Sequence, residues 1–184
     1  MMKRCGWCGN DPLYVAYHDE EWGKTITDDK TLFEFLLLES AQAGLSWITI
    51  LRKREGYRRN FADFDAQQVS QFTDEDADRI LQDPEIIRNK GKIRAAISNA
   101  VIFLAIQKEF GSFYNYLYSF MPNQGVINNV VENYRTFMTT SPESDAIAKD
   151  LKKRGMKFFG STICYAYMQA VGMVNDHEMG CSFK

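Results

Sequence analysis

Both histidines of the chain and two of its four cysteines lie near its two ends, in a combination that suits a metal ion. Twelve residues separate Cys5 from His18, and three separate His177 from Cys181. Two cysteines and two histidines meet the demand of zinc for four tetrahedral ligands. The spacing matches no common zinc-finger pattern, so the alternative is a surface histidine and an unrelated tail. We expect a zinc site formed by all four residues.

Cys8, a second cysteine near the N-terminus, leaves two other interpretations open. Cys5-x-x-Cys8 has the spacing of a redox pair or of two metal ligands, so Cys8 could replace one histidine in the zinc shell. A redox motif normally follows a β-strand, and the residues before Cys5 indicate none. The fourth cysteine, Cys164, lies in an apolar helical stretch and is expected to be a core thiol.

An acidic residue, Glu39, stands inside the apolar sequence Phe35-Leu36-Leu37-Leu38-Glu39-Ser40-Ala41. It lies one helical turn after Phe35 and Leu36, on the face that should be buried. A buried and unpaired carboxylate is costly, so such a residue often marks a functional site. Glu39 is therefore our candidate catalytic residue. The alternative is that it turns outward or pairs with Arg52 or Arg54.

Several aromatic residues surround Glu39 and the proposed N-terminal ligands in the sequence, namely Trp7, Tyr14, Tyr17, Trp22 and Trp47. Electron-rich rings beside a carboxylate suit a flat, positively charged ligand, through stacking and cation–π attraction. Taken singly, each of these rings fits an ordinary hydrophobic core better than a binding site.

Basic residues form two clusters, one at Arg52, Lys53, Arg54, Arg58 and Arg59 and the other at Arg88, Lys90, Lys92 and Arg94. Charge runs are usually solvated helix faces. The second cluster differs because residues 86–93 lie between two predicted helices, where free backbone N–H groups beside cations suit phosphate contacts. The arrangement resembles the hairpin of helix-hairpin-helix DNA-binding proteins but lacks their usual Gly-x-Gly core.

The elements that position these residues are predicted to be helical nearly throughout. Apolar spacing and capping residues predict a helix over 28–43, a second one after Ser46, short helices after Asp65 and Thr73, and a longer helix that ends near Gly111. Further helices are expected over 113–120, from Ser141 to Gly155 and over about 162–171, while residues 122–140 could be a loop or a short helix. Asp29 and Glu34 look solvated. We expect one all-α domain over 1–184.

Composition excludes several classes of protein. The hydrophobic fraction of 45% and the absence of low-complexity segments argue against disorder. The formal net charge of -2 gives no support to nucleic-acid binding, so any such surface must be local. The chain has no apolar run long enough for a membrane span and no signal-peptide pattern. We expect a cytoplasmic monomer with reduced cysteines and no membrane association.

Short sequence blocks carry a resemblance to a known family. The most specific are Tyr17-His18-Asp19-Glu20-Glu21-Trp22-Gly23 and Gln42-Ala43-Gly44-Leu45-Ser46-Trp47. Others include Arg4-Cys5-Gly6-Trp7, Gly91-Lys92-Ile93, Leu151-Lys152-Lys153-Arg154-Gly155 and Val174-Asn175-Asp176-His177. On these residues, and over nearly its whole length, the chain closely resembles the 3-methyladenine DNA glycosylase I (Tag) family.

The resemblance implies a helix-hairpin-helix glycosylase fold, a structural zinc ion held by Cys5, His18, His177 and Cys181, and no ligand role for Cys8. It implies base excision from double-stranded DNA that contains 3-methyladenine, with the free base and an abasic site as products. Glu39, Tyr17 and Trp47 match the base pocket of the family, and Trp7 and Tyr14 lie close to it.

In the expected mechanism, the aromatic rings stack on a flipped base and Glu39 accepts hydrogen bonds from its edge. Gln42, Gly44 and Leu45 are candidates to fill the gap in the duplex, with Leu45 as an apolar wedge, although ordinary loop packing is the alternative. Arg88, Lys90 and Lys92 are candidate phosphate contacts. Other helix-hairpin-helix glycosylases resemble one another in a catalytic aspartate after the hairpin, whereas Ser98 and Asn99 offer no carboxylate in that region.

Two rival functions follow from the same residues. One is a redox protein that uses Cys5 and Cys8, for which the titratable thiols would not depend on zinc. The other is a non-enzymatic DNA-binding module, for which Glu39 would be a buried residue without a role in chemistry.

Overall fold

The computed structural model describes residues 2–184, which form ten α-helices and one pair of short β-strands. The helices are α1 (Pro12–Glu20), α2 (Asp29–Gln42), α3 (Trp47–Leu51), α4 (Arg54–Asn60), α5 (Ala66–Val69), α6 (Asp74–Ile80), α7 (Lys90–Phe110), α8 (Phe113–Tyr118), α9 (Pro142–Lys153) and α10 (Ser161–Ala170). The strands are β1 (Ile127–Asn128) and β2 (Val174–Asn175). None of these described helices has the length and apolar character that crossing a membrane requires. The prediction of a mostly helical chain is confirmed.

Helix α2 is the central element and carries Glu39. The Asp28 side chain caps its start by accepting a hydrogen bond from the Thr31 N–H at 2.9 Å. Every residue from Leu32 to Ala41 is buried, because α2 packs against α3, α7, α8 and α10. The helix ends where Gly44 adopts φ +80°, a conformation that favours glycine.

This burial makes the prediction of solvated Asp29 and Glu34 wrong. Glu34 is buried, and its Oε1 lies 2.7 Å from Arg54 Nε. Asp29 is partly buried and accepts hydrogen bonds from the N–H groups of Phe113 (2.8 Å) and Tyr114 (3.1 Å), which begin α8. The apolar pattern did not predict the burial of these two residues, because it assumes a helix buried along one stripe, whereas α2 is enclosed on nearly all sides.

Other predicted helices are present, with one break. The run after Ser46 divides into α3 and α4, because the chain turns at Arg52 and Lys53. Thr73 starts α6 with a capping box to Asp76, and Ser141 starts α9 with one to Ser144. Helices α9 and α10 pack directly on each other, joined by a turn in which Gly155 has φ +99°.

The stretch 122–140, left open as a loop or short helix, contains the strand β1, which pairs in parallel with β2 in the register Ile127 to Val174. An isolated bridge between Val131 and Glu178 extends the contact. These pairings bring the C-terminal segment, which includes His177, against the middle of the chain. Strands of two residues are too short to produce a period of two in the sequence.

Candidate functional site

A cavity of about 200 Å³ lies where α1, α2, α3 and α10 approach each other. It is lined by Trp7, Tyr14, Tyr17, Trp22, Glu39, Gln42, Trp47, Phe137, Ala166 and Gln169. The structure thus brings together the predicted carboxylate, Glu39, with all four predicted base-pocket aromatics. Phe137, Ala166 and Gln169 were not predicted from the sequence. Phe137 falls in the weakly patterned stretch, and nothing local in the sequence distinguishes Gln169 from a helix surface residue.

The Glu39 side chain is the acidic group of this cavity and is only 3% exposed. Burial raises its pKa to about 8, because water is excluded and no cation replaces it. Its Oε2 has no hydrogen-bond partner among the described residues. The alternatives of an outward turn and of an arginine partner are both wrong: Arg52 pairs with Asp11 at 2.6 Å, and Arg54 pairs with Glu34 and Glu21.

Two buried donors accompany this acceptor. The indole Nε1 atoms of Trp7 and Trp47 are also buried and lack a partner among residues 2–184. Buried polar groups in folded proteins are nearly always hydrogen-bonded, so three such orphaned atoms around one cavity indicate a site that a polar ligand completes. The residues that line the cavity thus include two with an unpaired N–H donor and one with an unpaired carboxyl oxygen.

The aromatic rings form the walls of the cavity. The ring centroids of Tyr17 and Trp47 are 5.5 Å apart, and Phe35 stacks behind Trp47 with an interplanar angle of 20°. On the other side, Trp7 meets Tyr14 edge to face at 4.9 Å. Burial keeps the pKa of Tyr17 well above its usual value, so its hydroxyl stays neutral. Neutral, electron-rich walls beside a carboxylate favour a flat cation.

Three of the four predicted metal ligands lie together next to this cavity. One ligand atom from each of Cys5, His18 and Cys181 lies within 4.8 Å of the others, and Cys181 Sγ is 3.5 Å from His18 Nε2. The Glu178 N–H donates to Cys5 Sγ at 3.3 Å. His18 Nδ1 lies 2.8 Å from the Asp19 carboxylate, which leaves Nε2 as the lone-pair nitrogen facing the sulfurs.

His177, the fourth predicted ligand, lies at the edge of this cluster. Its ring centroid is 5.3 Å from that of His18, and its buried Nε2 has no partner among the described residues. Nδ1 lies 2.9 Å from the Asn175 amide oxygen, so Nδ1 carries the proton and Nε2 the lone pair. Burial lowers the pKa of His177 to about 4, which keeps the ring neutral. A Cβ on Gly23 would lie 2.7 Å from this ring, which accounts for a glycine there.

Cys8 does not belong to the cluster. Its Sγ donates instead to the Cys5 carbonyl at 3.2 Å, and all four cysteines are free thiols. Cys164 is fully buried, as expected of a core thiol. The cluster and the cavity share their neighbours, because Trp22 lines the cavity and its ring lies 4.6 Å from that of His177.

The predicted DNA-contacting residues fall into two groups. Gln42 lines the cavity, Gly44 has φ +80°, and Leu45 is 40% exposed just beyond the end of α2. Of the basic residues, Arg88 is exposed at the surface. Lys90 pairs with Asp78 at 2.8 Å, and Lys92 donates to backbone carbonyls. The hairpin predicted at 86–93 therefore has fewer free cations than its sequence indicates.

A second turn, between α9 and α10, has the free cations that the first lacks. Lys152, Lys153 and Lys157 are exposed and form no ion pair with the part of the chain that the structure describes. Gly160 precedes α10 and offers no side-chain cap, so no capping side chain occupies the first N–H groups of the helix. Asp145, the carboxylate near this end, accepts a hydrogen bond from the Ser161 hydroxyl. Exposed lysines beside a helix N-terminus suit phosphate binding.

Asn99 holds this turn against α7. Its amide accepts from the Lys157 N–H and donates to the Lys157 carbonyl, each at 2.9 Å. Asn99 is buried and does not line the cavity, and Ser98 bonds to the Ala95 carbonyl. Neither residue is placed to act on a base in the cavity, which leaves Glu39 as its acidic group.

The chain is similar to DNA-3-methyladenine glycosylases of other bacteria. Residues 7–184 match the Methyladenine glycosylase family. The chain is 49% identical to DNA-3-methyladenine glycosylase 1 of Escherichia coli (strain K12), with 98% of this chain and 96% of that protein covered. It is 42% identical to the DNA-3-methyladenine glycosylase of Haemophilus influenzae, with 100% and 99% covered.

The fold is also similar to a solved structure, with a TM-score of 0.94 between the two. That structure is described as the structural basis of 3-methyladenine recognition by 3-methyladenine DNA glycosylase I (TAG) from Staphylococcus aureus. It is 36% identical in sequence, with 100% of this chain and 97% of that chain covered.

Proposed function

The chain belongs to the methyladenine glycosylase family, and we propose that it hydrolyses the N-glycosidic bond of 3-methyladenine in alkylated DNA. The products are the free base and an abasic site, as in base excision repair. The observation that carries this proposal is the buried, unpartnered carboxylate of Glu39 in an aromatic cavity large enough for one base. We expect the protein to act as a monomer in the cytoplasm.

Methylation at N3 gives the base a positive charge and weakens its bond to the sugar. The enzyme flips the nucleotide out of the duplex, and the cavity then encloses the base. Tyr17 and Trp47 stack on the ring or line it, with Trp7 and Tyr14 beside them. The positive charge favours the ionised form of Glu39, because an opposite charge nearby offsets the loss of water. Glu39 then accepts hydrogen bonds from the edge of the base.

This arrangement reduces the barrier chiefly by binding the departing base. The leaving group already carries positive charge, so it departs without strong general-acid catalysis. The electron pair of the glycosidic bond leaves with the base, which thereby becomes neutral, while the oxygen of a water molecule bonds to the anomeric carbon of the sugar and releases a proton to solvent. Interactions that strengthen as the base leaves raise the rate of the chemical step, whereas equal binding before and after would not.

Single-turnover treatment of methylated duplex DNA tests this function. Chromatography of the released bases should show 3-methyladenine, with abasic sites remaining uncleaved in the strand. Release of no base, with DNA binding intact, would instead support the rival of a non-enzymatic DNA-binding module. Dependence of activity on a thiol redox cycle would support the redox alternative, which is disfavoured because burial raises the pKa of both the Cys5 and the Cys8 thiol.

We further propose that a zinc ion is held by the cluster of Cys5, His18 and Cys181 together with His177 at its edge. The residues fit this metal: two sulfurs and two imidazole nitrogens, with both Nδ1 atoms engaged by oxygen acceptors so that both Nε2 atoms are free to bind. With four protein ligands no position remains for an activated water, so the metal is structural. It joins the two ends of the chain and holds Tyr17, which precedes His18, at the wall of the cavity.

For the DNA surface, we propose that the α9–α10 turn is the hairpin of a helix-hairpin-helix unit, rather than the 86–93 segment that the sequence indicates. Within residues 2–184 its lysines form no ion pair and Gly160 offers no side-chain cap to α10, whereas Lys90 and Lys92 are engaged within the protein. Gln42, Gly44 and Leu45 remain our candidates to fill the gap left by the flipped base, because they adjoin the cavity.

Salt dependence distinguishes the two surfaces. Lys152→Met and Lys157→Met should each lower the affinity for undamaged duplex and reduce the slope of log K against log salt by about one. Lys90→Met should leave the slope nearly unchanged, because its ammonium already pairs with Asp78. The slopes are measured by fluorescence-anisotropy titrations. A reduced slope for Lys90→Met, with unchanged slopes for Lys152→Met and Lys157→Met, would indicate that residues 86–93 bind the DNA instead.

A further inference from the structure

The side chain of Lys92 connects the first turn of α7 to the end of the helix that carries Glu39. Its Nζ donates to the Ala41 carbonyl at 2.8 Å and to the Ala43 carbonyl at 2.7 Å. The backbone at the root of this side chain is itself held, because the Asn89 side chain accepts from the Lys92 N–H at 3.0 Å. Lys92 is thus fixed at both ends.

The two carbonyls need such a donor. The last carbonyls of a helix have no intrahelical N–H partner, and Ala43 leaves the helix with φ -41° and ψ 113°. A cation at this position satisfies both oxygens and complements the negative end of the helix dipole. The ammonium is partly buried, and that burial lowers the pKa of Lys92.

Lys92 differs in this from the other basic residues of its helix turn. Lys90 pairs with Asp78 and Arg94 with Asp74, whereas within residues 2–184 Lys92 forms no ion pair with a carboxylate. Lys92 lines one small cavity together with apolar residues of α2 and α7 that include Leu37 and Ile93. Its ammonium therefore binds backbone carbonyls at the end of α2 rather than the carboxylate of a neighbouring acidic residue.

The segment that Lys92 holds has two faces. Glu39 and Gln42, on either side of Ala41, line the cavity, while Leu45, two residues after Ala43, is exposed. We propose that Lys92 is a positioning residue for excision from DNA, holding the loop of residues 42–46 in a fixed orientation relative to the cavity. The inference rests on the proposed function. It predicts that Lys92 matters when a duplex must be engaged and matters little when the free base enters the preformed cavity.

Lys92→Met, which keeps the apolar stem and removes the ammonium, tests this role. We expect the single-turnover rate of 3-methyladenine release from duplex DNA to fall about tenfold or more, because two charge-assisted hydrogen bonds are lost. The dissociation constant of free 3-methyladenine, measured by tryptophan fluorescence, should change by less than about twofold, which is small compared with the effect of losing two hydrogen bonds. Lys92→Arg should restore most of the rate, and Lys108→Met, at the far end of α7, should behave as wild type.

Two outcomes would overturn the proposal. One is a Lys92→Met rate equal to that of Lys108→Met. The other is an equal loss of free-base affinity and excision, which would indicate general damage to the cavity. Should Lys92→Met fold poorly, Lys92→Arg is compared with wild type instead. The proposal is rejected if the ratio of excision rate to free-base affinity in Lys92→Arg stays far from the wild-type ratio. Failure of the proposed function itself would appear separately, as a wild-type protein that releases no base.

Discussion

Glu39→Gln should lower the single-turnover rate of 3-methyladenine excision by about a hundredfold or more, a loss typical of removing one preorganised electrostatic contact. The substitution preserves the shape of the side chain and removes its charge. Glu39 is the buried acid of the cavity and its Oε2 has no partner within residues 2–184, so its charge is available to the cationic base. Glu55→Gln, on the exposed surface of α4, is the matched control and should retain the wild-type rate.

The pH dependence should distinguish the charge of Glu39 from its shape. Because the pKa of Glu39 is about 8, only a minor fraction is ionised in the free protein at pH 7. Excision at low DNA concentration should therefore rise roughly tenfold per pH unit up to about pH 8 and then level off. Glu39→Gln should lack this rise. A variant with the wild-type rate and the same pH profile would reject a central role for Glu39.

The same substitution should stabilise the fold. The pKa of Glu39 is raised from 4.5 to about 8 by burial, so between these values the unfolded chain ionises while the folded protein holds its proton. Wild-type stability is therefore highest below pH 4.5 with respect to this group and falls as the pH rises through 8. The loss is roughly 3 kcal/mol at pH 7. Urea unfolding should show Glu39→Gln matching wild type near pH 4.5 and exceeding it at pH 7.

Removal of the metal should produce the largest loss of stability. We expect Cys181→Ser to lose bound zinc and to melt about 10 °C or more below wild type, because metal binding that requires the folded site contributes directly to folding. Cys8→Ser is the control: Cys8 is a buried thiol near the cluster and lies outside it, so its substitution should retain about one zinc per chain.

Excision during chelation distinguishes a structural metal from a catalytic one. Activity should fall together with the folded fraction, as followed by circular dichroism, since no step uses the ion. Loss of excision in a chelated protein that is still fully folded would contradict a structural role. So would a Cys181→Ser variant that keeps its zinc and its melting temperature.

Local signals in the sequence were sufficient for much of the helical framework. Asp28, Thr73 and Ser141 cap helices where their types and spacing predict, and Gly44 and Gly155 follow the helices they end. These features depend on contacts within one turn of the chain. The resemblance drawn from the sequence blocks is likewise confirmed by the relatives.

Features that depend on distant parts of the chain were not predictable in the same way. Glu34 looks solvated in the sequence because its arginine partners lie on α4, which reaches it only in the folded protein. Lys92 looks like a free cation because the carbonyls it binds, those of Ala41 and Ala43, lie at the end of α2 and just beyond it. The β1–β2 pair joins segments far apart in sequence through two residues each. Chain chemistry indicated an unusual carboxylate at Glu39, and the family resemblance supplied its substrate.

Recognition of the free base by the cavity tests the central claim most directly. Tryptophan fluorescence titrations of wild type and Glu39→Gln with 3-methyladenine and with adenine separate base recognition from DNA binding and from hydrolysis. Wild type should bind 3-methyladenine more tightly than adenine by about tenfold or more, the scale of one charge-assisted hydrogen bond, and Glu39→Gln should lose most of that preference. Equal affinity of wild type for the two bases, or an unchanged preference in Glu39→Gln, would contradict the account.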